Sequence, residues 1–285
     1  MTAVLITGAG SGIGLSTALT LANRGYRVYA GLKNPQNIPP ELDHAQISPL
    51  PLDVTQLSDI DQCVSLIGNE GHELSHLINN AGINIPGPIE VYTQEHWRKI
   101  FAINFHGPMT LCRKILPLMR RQEKGRILMI SSLSAEIGLP LDGAYAASKA
   151  ALNRASESLA YEVAPFGIFV TVVIPGSVVT NLNRKHMDEI PNSPTPYAPL
   201  YHTLRPSASG LSPTRLAEEI ATVCERSNPP LFYPVGTQAQ EIMTRVSTAN
   251  SEVRQQIIRE VSGLGWWFDS TMAPRHKYPK NNPRN

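Results

Sequence analysis

Hydrophobic and β-branched residues recur along the chain in short runs, separated by longer stretches of helical periodicity. Seven such runs predict strands, at residues 3–7, 27–32, 47–52, 76–79, 126–131, 169–174 and 231–235. Helical periodicity covers residues 14–24, 58–70, 95–119 and 145–163. Because parallel strands are joined by helical crossovers, this alternation predicts an α/β fold: a doubly wound parallel sheet of about seven strands with helices on both faces. Ligands of such sheets bind beyond the carboxyl ends of the strands, so candidate chemistry should follow each strand directly.

The region near residues 181–213 departs from this alternation because it is rich in proline. Its prolines include Pro191, Pro194, Pro196, Pro199, Pro206 and Pro213, and proline at that density excludes a regular helix or a central strand. We expect a lid over the ligand site, with a solvated insertion as the alternative. Residues 1–236 are predicted to form one domain that includes this lid. Residues 237–285 are predicted to add a helical extension, at 238–260, and a basic tail.

The composition narrows the possible partners. The 285 residues are 42% hydrophobic, enough for one sizeable core, and 25 basic and 23 acidic side chains are interspersed and leave a net charge of +2. This balance gives no electrostatic reason to expect nucleic acid or a membrane surface as a partner. Cys63, Cys112 and Cys224 are widely spaced, which suits reduced thiols, and no apolar run approaches the roughly 18 residues of a membrane helix. We therefore expect a cytoplasmic protein without membrane insertion.

A glycine-rich turn follows the first predicted strand and opens the first helix. It reads Thr7-Gly-Ala-Gly-Ser-Gly-Ile-Gly14. Gly8 permits a tight turn, the backbone at residues 10–12 can approach a pyrophosphate, and Gly14 lets the helix pack closely. The helix N-terminus adds unpaired amide groups and positive potential. A merely flexible turn is the alternative, but the order of strand, turn and helix favours a dinucleotide site formed by Gly8, Gly10, Ser11, Gly12, Ile13 and Gly14.

The end of the second strand bears on the choice between NAD and NADP. An acidic residue there would bind the ribose hydroxyl of NAD. The sequence instead has Leu32 followed by Lys33, a cation that could meet a 2′-phosphate, although lysine is also common at solvated strand ends. NADP(H) is therefore favoured, and NAD(H) is possible. Asp53, after the third strand, could accept a hydrogen bond from the adenine amino group or simply cap a turn.

Tyr145 and Lys149 lie four residues apart on a predicted helix and so share one face. A neighbouring ammonium favours the phenolate and lowers the pKa of a phenol, as a proton relay would need. The alternative is an ordinary pair on a solvated helix. Ser132 follows the fifth strand and could offer its hydroxyl to the same substrate oxygen. The turns at residues 79–82 and 175–176 are further points where a ligand could approach the backbone.

Six motifs, in order along the chain, resemble those of the short-chain dehydrogenase/reductase family, in its single-domain Rossmann-type subgroup. They are Thr7-Gly-x-x-x-Gly-x-Gly14, Asn79-Asn-Ala-Gly82, Asn104 within Ile-Asn-Phe-His-Gly, Ser132, Tyr145-x-x-x-Lys149 and Pro175-Gly-x-x-x-Thr180. The resemblance spans about residues 2–236. It implies that Tyr145 is the catalytic acid and base and that Ser132 polarises the substrate oxygen. It also implies that Lys149 binds the nicotinamide ribose and that Asn104 holds a water in the proton relay.

The resemblance also implies the other cofactor contacts and the reaction. Besides the glycine-rich turn, Tyr145 and Lys149, the implied contacts are Lys33, Asp53, Val54, Asn80, Ala81, Gly82, Pro175, Gly176, Val178 and Thr180. The expected reaction is NADP(H)-dependent interconversion of a carbonyl and a secondary alcohol, in a homodimer or homotetramer. Residues 28–33 and 165–168 resemble the hydroxysteroid and retinol dehydrogenase branches. A lipophilic substrate is expected if Leu133, Ile137, Leu139 and Leu141 line its pocket rather than simply pack.

Other functions remain open alternatives at this point. An NAD(H)-dependent alcohol dehydrogenase of the same family, an isomerase or dehydratase, and a non-catalytic NADP(H)-sensing regulator could use the same fold. A different pattern, His72-Glu-Leu-Ser-His76, matches the His-Glu-x-x-His motif of zinc peptidases. That site needs both histidines on one helix face, but Gly71 interrupts the preceding helix and residues 75–79 run into a strand. We therefore expect no metal site, and a loop with solvated histidines.

Overall fold

Seven parallel strands form one sheet in the computed structural model, which describes residues 2–180, 182, 196–201 and 210–268. They are β1 (Thr2–Thr7), β2 (Arg27–Leu32), β3 (Ile47–Pro51), β4 (Glu73–Asn79), β5 (Gly125–Ile130), β6 (Ile168–Pro175) and β7 (Phe232–Val235). Their order across the sheet is β3-β2-β1-β4-β5-β6-β7. The winding direction therefore reverses between β1 and β4, which places the ligand crevice of such a sheet at their carboxyl ends. The predicted fold class is confirmed.

Helices cover both faces of this sheet. In chain order they are α1 (Gly12–Asn23), α2 (Leu57–Asn69), α3 (Gln94–Phe101), α4 (Gly107–Arg121), α5 (Gly143–Val163), α6 (Ala198–Tyr201), α7 (Pro213–Glu225), α8 (Thr237–Thr248), α9 (Ser251–Ser262) and α10 (Gly265–Phe268). Val4 and Ile6 of β1 pack with α1 and α7, whereas Ala3 and Leu5 pack with α2, α4 and α5. All four are fully buried, which explains the continuous apolar run of this central strand.

The helix predicted at residues 95–119 is interrupted in the structure. A π-helical turn, Ala102–His106, separates α3 from α4 and has Asn104 at its centre. The Asn104 amide bonds to the backbone of Ile83, in the loop after β4, and to the hydroxyl of Ser148 in α5. These bonds stabilise the wider π-helical turn. Pro108 follows it in the first turn of α4, where the missing amide hydrogen of a proline is tolerated. Helical periodicity alone does not reveal such contacts.

The position of His76 corrects one expectation from the sequence. His76 is buried in β4 and does not lie in a solvated loop, because the strand begins at Glu73, three residues before the predicted start. Its Nε2 lies 3.1 Å from the Cys224 carbonyl oxygen, and its Nδ1 lies 2.6 Å from Ser75 Oγ. Burial lowers the pKa of His76 to about 4, so the ring is neutral at neutral pH. The strand also differs from the helix that a zinc-peptidase motif requires.

The C-terminal helical region is two helices where the sequence predicted one. Asn250 accepts a hydrogen bond from the Val253 amide and starts α9 after a break in the chain direction. The preceding helix, α8, begins two residues after β7 ends. Both helices pack against the segment that follows β5, in a buried cluster that contains Leu133 and Ile257.

Most of the predicted lid and the whole basic tail lie outside the described residues. The described parts of the lid region are residue 182, residues 196–201, which include α6, and the segment from Gly210, where Leu211 pairs with Val178. The three cysteines are free and buried, as the sequence predicts. Among the described helices, none has both the length and the apolar character that crossing a membrane requires.

Candidate active site

The glycine-rich turn after β1 is packed too tightly for side chains at two positions. A Cβ on Gly14 would lie 2.3 Å from the Gly8 carbonyl oxygen and 2.5 Å from Asn80 Nδ2. Gly8 has a φ of +66°, and its Cβ would lie 3.0 Å from the Cα of Ala81. Only glycine fits both positions without displacing backbone. The turn therefore packs closely against the loop after β4, and a glycine that allows close packing at the start of the helix is a feature of dinucleotide-binding turns.

The start of α1 offers backbone amides to an anion. Ser11, its N-cap residue, makes no side-chain capping bond, and the first turn holds no acidic residue. Gly12 has a φ of +55°, and an added Cβ would lie 3.6 Å from Thr180; a Cβ on Gly10 would lie 3.4 Å from Leu32. The glycine-rich turn thus contacts both the end of β2 and the segment after β6. Helix amides with the positive end of the dipole suit a phosphate group.

Thr7 and Asn80 hold the ends of β1 and β4 together. The Thr7 hydroxyl accepts hydrogen bonds from the amides of Asn80 and Ala81, at 3.0 and 2.9 Å. Asn80 Nδ2 donates to the carbonyl oxygens of Thr7 and Gly8, at 2.9 and 3.2 Å. Sequence reasoning named Asn80 as a cofactor contact and missed this bracing role. The position of Thr7 could have indicated this role, because a hydroxyl side chain at the end of β1 lies directly before the glycine-rich turn.

Lys33 and Asp53 form an ion pair, with 3.2 Å between Nζ and Oδ2. Leu32, beside them, is buried. Asp53 Oδ1 also accepts hydrogen bonds from the amide and the hydroxyl of Thr55. Burial alone would raise the pKa of Asp53, but the hydrogen bonds from Thr55 and Lys33 outweigh it and keep this pKa lowered. Asp53 therefore caps the turn after β3 and also holds Lys33 at the edge of the site.

The predicted proton-transfer residues meet where β5 ends. Tyr145, in the first turn of α5, is buried, and the side chain of Ser132 lies beside its hydroxyl. Lys149 is buried one helical turn further; its Nζ donates to the Ile130 carbonyl oxygen at 2.7 Å and lies 5.9 Å from the centre of the Tyr145 ring. A Cβ on Gly82, in the loop after β4, would lie 3.5 Å from that Nζ. The structure therefore brings together three groups that the sequence predicts at one site.

Burial dominates the ionisation of this pair. It raises the pKa of Tyr145 to about 12, because the negative charge of Asp142 adds to the burial and a hydrogen bond with Ser132 offsets only part of it. Burial also lowers the pKa of Lys149 to about 8. The sequence led us to expect Lys149 to lower the pKa of Tyr145, but removal of the phenolate from water has the larger effect. The Tyr145 hydroxyl therefore keeps its proton at neutral pH.

Asn104 is fully buried, and its side chain connects two parts of the site. Its Oδ1 accepts from the Ile83 amide at 2.9 Å, and its Nδ2 donates to Ser148 Oγ at 3.0 Å. Ser148 in turn donates to the Tyr145 carbonyl oxygen at 2.7 Å. Asn104 thus joins the loop after β4 to the helical turn that carries Tyr145. Sequence reasoning missed Ser148, although it lies beside Lys149 in the same motif.

A family model described as short chain dehydrogenase matches residues 2–190. This chain belongs to the short-chain dehydrogenase family. It is 34% identical to a 3-ketodihydrosphingosine reductase of Bacteroides thetaiotaomicron, over 85% of this chain and 90% of that protein. It is 32% identical to retinol dehydrogenase 8 of Bos taurus, over 82% of this chain and 81% of that protein. A short-chain dehydrogenase from Streptomyces avermitilis has a similar structure, with a TM-score of 0.77, 28% identity and coverage of 93% of this chain and 97% of that one.

Membership of the family makes this short-chain dehydrogenase an oxidoreductase that uses a nicotinamide cofactor and acts on alcohol or carbonyl groups. The residues present fit such a cofactor. Gly14 leaves no room for a side chain where the turn closes on the helix, and the first-turn amides face no acid of their own helix. The glycine-rich turn and the start of α1 therefore suit the pyrophosphate of such a cofactor.

Asp142 is an ionisable group of this short-chain dehydrogenase that the sequence analysis did not identify. Its carboxylate accepts hydrogen bonds from Asn84 Nδ2 at 2.8 Å and from the Ser134 hydroxyl at 3.3 Å. Burial raises its pKa, although these two bonds favour ionisation. Asp142 precedes α5, where an aspartate commonly caps the helix, but its side chain makes no capping bond. It joins the loops after β4 and β5 three residues before Tyr145.

The remaining predicted cofactor contacts lie at or after the carboxyl ends of β3 and β6. Pro175 ends β6, and Val178 pairs with Leu211. Gly176 adjoins α8, because an added Cβ would lie 2.9 Å from Gln238 Oε1. Val54 follows β3 and is buried. It packs closely against Gly107, because a Cβ added to Gly107 would lie 2.8 Å from the Cβ of Val54.

Proposed function

We propose that this short-chain dehydrogenase interconverts a carbonyl and a secondary alcohol with NADP(H), and that Tyr145 is its catalytic acid and base. The observation that carries the proposal is the buried Tyr145, which lies beside the Ser132 side chain and one helical turn before Lys149. Lys149 Nζ in turn adjoins Gly82, in the loop that packs on the glycine-rich turn. General acid and base catalysis by such a group contributes typically about 10²- to 10⁴-fold to a rate.

Each residue of the site then has a defined part in carbonyl reduction. The nicotinamide, when bound, supplies the hydride. Ser132 donates a hydrogen bond to the substrate oxygen, and Tyr145 donates its proton to that oxygen. Lys149, whose pKa is about 8, gives a proton back to Tyr145 and also binds the nicotinamide ribose. Asn104 holds a water in this relay. In alcohol oxidation the same groups move the proton in the opposite direction.

NADP(H) is the proposed cofactor because the end of β2 carries Leu32 and Lys33 and no acid. The exposed Lys33 ammonium, held by Asp53, supplies the charge that a 2′-phosphate attracts. The other proposed contacts are those of the glycine-rich turn and of the loops after β3, β4 and β6: Gly8, Gly10, Ser11, Gly12, Ile13, Gly14, Val54, Asn80, Ala81, Gly82, Pro175, Gly176, Val178 and Thr180.

A lipophilic substrate is proposed from the apolar surroundings and from the relatives. Leu141, four residues before Tyr145, packs with Leu200 and Trp266 in one apolar cluster. Leu133 and Ile137 pack instead against α8 and α9. Two relatives are named for 3-ketodihydrosphingosine and retinol, which are both lipophilic. We also propose that residues near 181–213 form a lid over this substrate.

Three further assignments follow the same reasoning. We propose that residues 1–236 form the catalytic domain and that 237–285 extend it. We propose a homodimer or homotetramer, on the resemblance to the family. A cytoplasmic location is proposed because all three cysteines are free and buried, which suits a reducing compartment.

The test is Tyr145→Phe, with Tyr161→Phe as the matched control because Tyr161 is 73% exposed on the same helix. We expect Tyr145→Phe to lose about 10²-fold or more of kcat and to keep its affinity for NADPH, and Tyr161→Phe to behave as wild type. The measurement is NADPH oxidation with a panel of lipophilic ketones and aldehydes, repeated with NADH. Near-normal turnover of Tyr145→Phe would contradict the assignment. Tight NADPH binding by the wild type without oxidation by any carbonyl would favour a sensor.

A further inference from the structure

Two loops of the candidate active site are contacted from outside by α8 and α9. The loop after β5 presents Ser132 and continues through residues 133–139. The loop after β6 begins at Gly176 and Ser177, beside the proposed nicotinamide contacts. Both helices lie beyond residue 236, where the family resemblance of the sequence ends.

Arg254 of α9 holds the first loop through a charged hydrogen bond. Its guanidinium donates to the backbone carbonyl of Glu136. The Glu136 carboxylate accepts from Asn153 Nδ2 at 2.8 Å, and Asn153 Oδ1 accepts from the Ser131 hydroxyl at 2.5 Å. Asn153 and Ser131 are both buried. Arg254 therefore holds the backbone of Glu136, and the side chain of Glu136 is linked through Asn153 to the residue next to Ser132. The bond from Arg254 is of the stronger, charge-assisted kind.

Apolar packing fixes the same loop on the same side. Leu133 and Ile137 are 7% and 0% exposed, and they form one cluster with Ile242 of α8 and Ile257 of α9. The loop is thus held by both helices at the two positions that flank Glu136. Side chains packed in this way keep their rotamers and resist displacement.

Gln238 of α8 holds the second loop. Its Oε1 accepts a hydrogen bond from the Ser177 amide at 3.2 Å, and a Cβ on Gly176 would lie 2.9 Å from the same oxygen. The side chain therefore fills the space beside Gly176 and binds the backbone directly after it. The helix pair therefore contacts both loops, through Gln238 in the first turn of α8 and Arg254 in the first turn of α9.

We propose that α8 and α9 position the active site, with Arg254 and Gln238 as the positioning residues for the loops after β5 and β6. This inference rests on the proposed function. Arg254 keeps Ser132 at the substrate oxygen, and Gln238 keeps the backbone after β6 at the cofactor. Such positioning matters because a misplacement of about 1 Å in a reacting group can cost about 10²-fold in rate.

The first experiment compares Arg254→Met with Arg254→Lys and with Arg245→Met. Arg245→Met is the matched control because it removes the ion pair with Glu260, which joins α8 to α9 without touching either loop. We expect Arg254→Met to lower kcat about 10-fold at an unchanged KM for NADPH. Arg254→Lys, which keeps a cationic donor, should recover part of kcat. An unchanged kcat in Arg254→Met, or an equal loss in Arg245→Met, would overturn the proposal.

Hydrogen exchange of the protein without nucleotide separates this inference from the proposed function, because it does not require turnover. We expect faster exchange at residues 133–139 in Arg254→Met and at residues 176–180 in Gln238→Met. Gln238→Glu keeps the acceptor and should exchange as wild type, and Gln238→Met should bind NADPH about 10-fold more weakly. Exchange at the wild-type rate in both Met variants would overturn the positioning role. A wild-type protein that reduces no carbonyl compound would instead contradict only the proposed function.

Discussion

Lys33 is held at the end of β2 by Asp53, while its side chain is 68% exposed. An exposed ion pair contributes about 0–1 kcal/mol, so Lys33→Ala should leave the free energy of unfolding nearly unchanged. It should bind NADPH about 10-fold more weakly and NADH equally well, because only NADPH carries the 2′-phosphate. Fluorescence titration with both nucleotides checks this. Lys124→Ala is the control, since it removes a similar ion pair with Glu73. An equal loss of affinity for both nucleotides would refute the role of Lys33.

The burial of Lys149 predicts a pH dependence of stability. Its pKa falls from 10.5 to about 8 in the folded chain. Between these values the unfolded chain binds more protons, so the contribution of Lys149 to stability rises with pH. We expect the free energy of unfolding of wild type, relative to Lys149→Met, to increase by roughly 2 kcal/mol from about pH 7.5 to about pH 10. Urea unfolding of both proteins without nucleotide measures this, and a difference that stays constant with pH would contradict it.

At the residue scale, the sequence predicted which side chains lie close together but not the environments of those side chains. The motifs of the family resemblance singled out Tyr145, Ser132 and Lys149 as candidates, and the structure places the three side chains together. The direction of the pKa shift of Tyr145 depends on burial and on Asp142, which bonds to loops distant in sequence. Likewise, the pairing of Lys33 with Asp53 crosses 20 positions of the chain, and no local pattern indicates it.

Two helical glycines should respond in opposite ways to alanine. In α1, a Cβ on Gly14 would lie 2.3 Å from the Gly8 carbonyl oxygen, whereas a Cβ on Gly68 in α2 would meet nothing within 4 Å. We expect Gly14→Ala to lose about 2 kcal/mol of stability, or more, together with NADPH binding. Gly68→Ala should gain about 0.5–1 kcal/mol, because alanine restricts the unfolded chain. Urea unfolding measures both, and full tolerance of Gly14→Ala would show that the turn is not packed as described.

At the scale of elements, the periodic pattern predicted each strand within three residues at either end. This worked because central strands such as β1 are buried on both faces and read as unbroken apolar runs. The pattern failed where a side chain far along the chain sets the backbone. The π-helical turn depends on bonds from Asn104 to Ile83 and Ser148, and the break before α9 depends on capping by Asn250.

At the scale of the molecule, the sheet brings the candidate cofactor contacts together from distant parts of the chain. The turn after β1 touches the loop after β4 through Ala81, and Gly12 lies next to Thr180, which follows β6. The order of the strands places β4 and β6 on the same side of β1, with β5 between them. A nucleotide that bridges these segments therefore binds only the folded chain.

Binding of this kind should stabilise the whole fold. At a nucleotide concentration of about 100 times Kd, the gain is about 2.7 kcal/mol. Each kcal/mol raises the Tm of a domain of this size by about 2–4 °C, so NADPH should raise it by roughly 5–10 °C. Tyr145→Phe should keep most of this shift, because proton transfer is not needed for binding, whereas Gly14→Ala should lose it. Thermal unfolding with NADPH and with NADH measures the effect. An equal shift in Gly14→Ala would place the nucleotide elsewhere, and a larger shift with NADH would reverse the proposed cofactor preference.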